Sequence, residues 1–208
     1  MKRVICYGDS NTWGADPAGN GRFDERTRWT GVMAGILGAD YHVVEEGLNG
    51  RTTIVDDPIS PDRNGLTYLR PCIDSHHPFD LITIMLGTND LKFRQNRTAA
   101  DIAESVSLLA ETVRESSFGP GESRPKVLII CPPPVTTLTD YSGMFAGAVE
   151  KSLEMPRYYE LAAKWSQSEF LNAGEHIRSS DLDGIHFEAA EHAKLGKAVA
   201  EKVRSILE

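Results

Sequence analysis

A serine hydroxyl attacks a carbonyl carbon poorly near neutral pH unless a base takes its proton and hydrogen-bond donors hold the oxyanion that forms. The 208-residue sequence offers residues for all three tasks in separate segments. Ser10 follows Gly8-Asp9 at the end of an apolar run. Asp183-Gly184-Ile185-His186 spaces a carboxylate and an imidazole three residues apart, so one loop can present both. In such an arrangement Asp183 accepts a hydrogen bond from one imidazole nitrogen of His186, and the other nitrogen takes the Ser10 proton. Asn89 can point a side-chain N–H at the oxyanion. Gly50, having no Cβ to obstruct the approach, can bring its backbone N–H close, and the Ser10 N–H makes a third donor.

Each segment also has a plain structural reading. A serine after Gly-Asp is commonly a turn or helix-cap residue, Asp-x-x-His is a turn ahead of a helix, and Asn49-Gly50 and Gly87-Thr88-Asn89-Asp90 form turns in any fold. Their positions relative to the surrounding elements favour the chemical reading. Residues 3–7, 42–45, 81–86 and 127–131 are short Val/Ile/Leu-rich runs bounded by Gly, Asp, Asn or Pro, as buried strands should be. Helical spacing links Trp29, Val32, Met33, Ile36 and Leu37, then Ile102, Val106, Leu109 and Val113, and finally residues 189–207. Alternating strands and helices predict an α/β fold, with a central parallel sheet covered on both faces and functional loops at the carboxyl ends of the strands. Those ends are where Gly8–Thr12, Gly47–Gly50 and Gly87–Asp90 fall. Residues 54–69, rich in Asp, Pro, Asn and Gly, are expected to form a long ordered loop at the rim.

Composition narrows the function classes. With 40% hydrophobic and 25% charged residues the chain reads as one globular domain, residues 1–208, rather than a disordered or fibrous one. A net charge of −8 without a Lys/Arg stripe excludes nucleic acid as a partner. Residues 81–86, the longest apolar stretch, fall far short of the roughly 20 a membrane span requires, so no membrane partner is expected. The apolar run after Lys2-Arg3 is too short for an export signal, which predicts a cytoplasmic protein. Three cysteines without CxxC spacing read as reduced core residues. Asp181 admits a metal reading with Asp183 and His186, but no second histidine stands at zinc spacing, so neither metal nor cofactor is expected. A Gly-x-Ser-x-Gly elbow is absent, as are phosphate-loop and dinucleotide-loop patterns.

Taken in order, Gly8-Asp9-Ser10, Gly47-Leu48-Asn49-Gly50, Gly87-Thr88-Asn89-Asp90 and Asp183-Gly184-Ile185-His186 resemble four blocks of the SGNH hydrolases, also called GDSL esterases and lipases. More narrowly, Arg28-Trp29-Thr30-Gly31, Glu45-Glu46-Gly47-Leu48, Arg51-Thr52-Thr53, Asp56-Asp57-Pro58 with Asn64-Gly65, and Met85–Asp90 resemble the mycobacterial arylesterase/acyltransferase subgroup. The resemblance implies a flavodoxin-like three-layer α/β/α sandwich, with catalytic Ser10, Asp183 and His186 and an oxyanion hole of Ser10, Gly50 and Asn89. It also implies hydrolysis of short acyl esters through an acyl-enzyme, acyl transfer to alcohols, and a homo-oligomer, octameric in that subgroup. Asn11 stands where the subgroup has an apolar residue, and Ala15 where it has a bulkier aromatic. Asn11, Trp13 and Ile185 are the candidate substrate-binding residues. Trp13, like Phe145 and Ile185, either walls the acyl pocket or packs in the core; Asp9 is expected to fix the nucleophile loop through backbone hydrogen bonds. The alternatives are a carbohydrate acetylesterase of the same fold and a ligand-binding module that has kept the fold without turnover.

Overall fold

In the computed structural model, which describes residues 1–208, the apolar runs form strands β1 (Lys2–Gly8), β2 (Tyr41–Gly47), β3 (Leu81–Met85), β4 (Lys126–Cys131) and β5 (Glu169–Asn172). All pair in parallel, in the order β2-β1-β3-β4-β5. Parallel pairing demands crossovers, and helices supply them: α1 (Ser10–Trp13) and α2 (Trp29–Leu37), α3 (Gly65–His76), α4 (Ala99–Arg114) and α5 (Ala148–Trp165); α6 (Ala189–Leu207) follows the last strand and packs back on the sheet.

Because successive strand residues point to opposite faces, each strand feeds two cores. Val4, Cys6, Leu81, Leu128 and Ile130 pack with Trp29 and Met33 of α2 and Leu195, Val199 and Val203 of α6. Ile5, Tyr7, Ile82, Ile84, Val127 and Ile129 pack on the other face against Leu69 of α3, Ile102, Val106 and Leu109 of α4, and Met155 and Tyr159 of α5. Three layers result, as the sandwich expectation requires. The strand order reverses direction between β1 and β3, and at such a switch point the loops diverge and leave a crevice at the carboxyl ends of the strands. No helix is long and apolar enough to cross a membrane.

Part of the 54–69 expectation is corrected. Residues 54–64 are irregular, but Gly65 opens α3, because the Asn64 side chain accepts hydrogen bonds from the Leu66 and Thr67 N–H groups and caps the helix. The strand expected at 81–86 stops at Met85, with Leu86 already in the exit loop.

β2 lies at the edge of the sheet and carries two acids at its carboxyl end. Glu45 faces the α2 side, where Arg28 holds it with Nε at 3.1 Å and Nη2 at 2.6 Å and the Thr30 hydroxyl donates to it. Glu46, opposite Tyr7 in the register, faces α3.

Candidate active site

Ser10 begins α1, immediately after β1. The buried Asp9 carboxylate caps this short helix by accepting the Asn11 N–H at 2.9 Å, so it fixes the loop through the backbone as expected. Burial pushes the Asp9 carboxyl up to about 6, against the opposing pull of that hydrogen bond and nearby positive charge.

The loop before α6 brings the base to the nucleophile. His186 Nε2 lies 2.9 Å from Ser10 Oγ, and His186 Nδ1 lies 2.6 Å from Asp183 Oδ2. Asp183 Oδ1 accepts the backbone N–H groups of Ile185 and His186, both at 2.9 Å. Burial works against the Asp183 charge, but these three donors together outweigh it and hold its carboxyl below the usual carboxylate range. Gly184 makes the turn: its φ is +82°, and a Cβ there would come within 2.7 Å of the Thr137 carbonyl oxygen. The glycine between Asp183 and His186 therefore serves a tight, bolted turn rather than a flexible one. Ser180 N–H donates to the His186 carbonyl at 2.7 Å, and Thr136 N–H to the Gly184 carbonyl at 3.0 Å.

Two further loops carry the donors. Gly50 follows β2 with φ +81°, whereas a Cβ on it would meet the Arg63 side chain at an ordinary 3.6 Å. The positive φ gives Gly50 a conformational reason to be glycine beside the open approach of its N–H expected from the sequence. The Asn89 amide has two N–H groups; one goes to the Arg51 carbonyl at 3.1 Å, which fixes the amide and leaves the second for an oxyanion. Asp90, fully buried, accepts the Thr53 N–H at 2.9 Å and the Thr53 hydroxyl, tying the β3 loop to the one carrying Gly50. Burial pushes the Asp90 carboxyl up to about 6, despite the hydrogen bonds from Thr53.

These residues line one cavity of about 780 Å³ that contains Ser10, Gly50, Asn89, Asp183 and His186. Trp13 lines it too, half-buried, with the Arg22 guanidinium over its ring at 5.1 Å. Ile185 and Phe145 both line the cavity and belong to a core cluster, so for them the two readings hold together. Asn11 departs from its expected role. It is buried outside the cavity lining, and its Nδ2 donates to the Ile185 carbonyl at 3.3 Å, linking the nucleophile helix to the base loop.

Several supporting residues have roles that the sequence does not reveal. Arg51 is buried; its Nη1 donates to the Gly8 carbonyl at 2.8 Å and to the Glu46 carbonyl, joining the ends of β1 and β2. Asp57 is buried against Lys92 Nζ at 3.1 Å and a two-pronged Arg94 at 3.0 and 2.6 Å. Burial opposes the Asp57 charge, but those cations and the Ile59 N–H hold its carboxyl far below the usual range. Lys92 thereby fixes the wall of the cavity nearest Asn89. A charged pair buried with partners distant in the chain leaves no local pattern to read.

A model of the GDSL-like lipase/acylhydrolase family matches residues 6–194. The chain is similar to the solved native aryl esterase of M. smegmatis, at 45% identity over 99% of each chain with a TM-score of 0.94. It is also similar to a carbohydrate acetylesterase from Sinorhizobium meliloti, at 42% identity over 99% of this chain and 100% of that one, with a TM-score of 0.95. A carbohydrate acetylesterase family member from Sinorhizobium meliloti matches at 39% identity over 100% of this chain and 99% of that one, with a TM-score of 0.94. No curated protein sequence matches.

Proposed function

The chain belongs to the GDSL-like lipase/acylhydrolase family, and from that premise we propose that it cleaves short-chain acyl esters, acetyl and aryl esters foremost, through an acyl-enzyme on Ser10. The observation that carries this reading is the unbroken relay Ser10 Oγ–His186 Nε2 at 2.9 Å and His186 Nδ1–Asp183 Oδ2 at 2.6 Å.

In the first step Ser10 Oγ bonds to the ester carbonyl carbon while its proton passes to His186 Nε2. The carbonyl oxygen takes the electron pair and is held by the N–H groups of Ser10 and Gly50 and the free Asn89 amide N–H. As the C–O bond to the alcohol breaks, His186 returns its proton to the leaving oxygen. Water, or a second alcohol, then gives its proton to His186 and attacks the acyl carbon. The Ser10 ester bond breaks and Oγ recovers the proton. Asp183, acceptor to Nδ1 throughout, stabilises the imidazolium formed at each stage.

The half-buried Trp13 and the apolar side chains of Phe145 and Ile185 give the cavity a wall suited to a small acyl or aryl group. Transfer to alcohols is part of the same proposal, because an apolar wall favours an alcohol over water at the acyl carbon. A carbohydrate acetylesterase reading is favoured by the hydrogen-bonding groups Asp16, Thr139 and Asp140 in the cavity lining, which suit sugar hydroxyls. The partner is then a small ester, met in the cytoplasm, with no nucleic acid and no membrane. A homo-oligomer accounts for the exposed Met144 and Leu182 beside the cavity mouth, and light scattering on the purified chain tests it.

Labelling with a fluorophosphonate, followed by peptide mapping, is expected to modify Ser10 and no other residue. Nitrophenyl esters of increasing chain length are expected to lose kcat/KM beyond the shortest members. Peracetylated sugars assayed beside them, and a competing alcohol in the nitrophenyl assay, separate the ester classes and the transfer step. A label on any other side chain would overturn the assignment.

A further inference from the structure

Outside the catalytic cavity, the edge of the sheet gathers a second set of reactive side chains. Glu46 points from β2 toward α3, where Cys72 and His76 stand four residues apart and so share one helix face. A Glu46 carboxylate oxygen, Cys72 Sγ and a His76 ring nitrogen all lie within 4.8 Å of one another, with His76 Nε2 2.8 Å from Glu46 Oε1. We propose that Glu46, Cys72 and His76 form a binding site for a divalent transition-metal ion, zinc by its donor set, which fastens α3 to the edge strand beside the oxyanion loop.

The donor chemistry selects the ion. One thiolate, one imidazole and one carboxylate suit zinc, whereas magnesium and calcium take oxygen ligands. Bonds of about 2.0–2.3 Å put tetrahedral ligand atoms about 3.3–3.7 Å apart, so the ion would replace the 2.8 Å His76–Glu46 hydrogen bond, that pair opening by about 0.5 Å while the Cys72 sulfur closes on it by side-chain rotation. Access is open, since the His76 and Glu46 side chains are 30% and 17% exposed. Tyr68 donates its hydroxyl to the other Glu46 oxygen at 3.3 Å, which orients the carboxylate and leaves Oε1 for the ion. Three protein ligands leave the fourth position to water.

Binding balances without a further reactant. The Cys72 S–H bond breaks, its proton goes to solvent, and a sulfur–metal bond forms. Thiolate and carboxylate then neutralise the ion's two charges, which matters because the Arg51 guanidinium lies over the Tyr68 ring at 5.1 Å and opposes any net positive site. Glu46 lies at the end of β2 beside the turn carrying Gly50, so an occupied site stiffens the support of that donor.

Cobalt(II) and zinc(II) are the probes. Titrating the full chain with cobalt is expected to give a thiolate-to-metal charge-transfer band in the near ultraviolet, saturating at one ion per chain. Cys6 and Cys131 are wholly buried in β1 and β4, and Asp183–His186 carries no sulfur, so the band reports Cys72. His186→Ala is expected to keep it. His76→Ala, at a partly exposed position, and Cys72→Ser are expected to weaken zinc binding by roughly tenfold or more against a chromogenic chelator. Zinc is further expected to raise the Tm of the unmodified chain and not that of His76→Ala. A cobalt spectrum without the sulfur band, or zinc affinity unmoved by His76→Ala, overturns the proposal even if Cys72→Ser fails to fold.

Discussion

The two halves of the catalytic site are built on opposite plans. In the proton-transfer half, Asp183 and His186 share one turn, and Asp183 takes its three donors from Ile185 and His186 of that turn. In the oxyanion half, Gly50 and Asn89 sit on separate loops held together through Arg51, Thr53 and Asp90. Their carboxyls differ accordingly: Asp183 is held below the usual range, while Asp90 is pushed up to about 6. The contrast follows from what each half must do. In the proposed mechanism an imidazolium forms beside Asp183, so that carboxyl must be charged when the proton arrives. Asp90 has only to keep two loops in register, and the neutral donors of Thr53 suffice.

The largest test of this division concerns the relay. His186→Ala is expected to lower nitrophenyl acetate turnover by roughly 10⁴-fold or more, and adding Ser10→Ala should cost little beyond that, because the two act as one unit. Independent, additive losses would break the relay into separate contributions. Asn89→Ala is expected to cost about 10²–10³-fold in kcat, the scale of one oxyanion donor; a loss as deep as that of His186→Ala would erase the distinction between the halves.

Stability against pH sharpens the comparison with opposite signs. Asp90 has a folded value raised above its unfolded one of about 3.9. The stability it contributes is fully present below that value and is lost as pH rises through about 6. Asp9, raised in the same way, is present in wild type and variant; its charge also raises Asp90, so Asp90→Asn relieves part of the Asp9 shift and adds to the difference with the same sign. Wild type should therefore lose Tm relative to Asp90→Asn between about pH 4 and 6, by a few degrees. Asp183, depressed, contributes stability present above its unfolded value and lost as pH falls through its folded one, so the advantage of wild type over Asp183→Asn should shrink in acid. Thermal melts of Asp90→Asn between about pH 4 and 6, and of Asp183→Asn below about pH 4, read the two slopes; slopes of the same sign would defeat the assignment. The smallest effect is expected for Gly50→Ala, about 1–2 kcal/mol from its positive φ, measured by urea unfolding. Gly184→Ala should cost more, since its methyl also meets the Thr137 carbonyl.

The same division explains what could be read before folding. Asp183, His186 and Ser10 were legible because a three-residue spacing and a strand end are local patterns. Gly50 was legible as a position, and its φ adds a second reason for glycine there. Arg51 and Asp90 stood inside motif blocks without a legible role, and the Asp57–Lys92–Arg94 cluster was not legible as a unit, because the partners that define each lie far along the chain. Asn11 suggested substrate contact from its neighbourhood, yet a buried amide finds its acceptor wherever the fold supplies one, here the Ile185 carbonyl. Among the elements, β1 to β4, α2, α4 and α6 announce themselves by apolar runs or helical period. β5 has only four residues, and α3 and α5 each carry an internal proline, Pro71 and Pro156, which blurs the helical pattern.

The acids at the end of β2 have a consequence for how copies of this chain meet. An unpaired sheet edge is a template on which another chain can add a strand, and inward-pointing charges or very short strands deny it. One edge here carries Glu45 and Glu46, already committed to groups on the two flanking layers; the other is four residues long. Growth of the sheet from chain to chain is blocked at both ends, which guards against fibrillar assembly. Any orderly association must then be made by helix surfaces and loops, leaving the five strands of each copy a closed set.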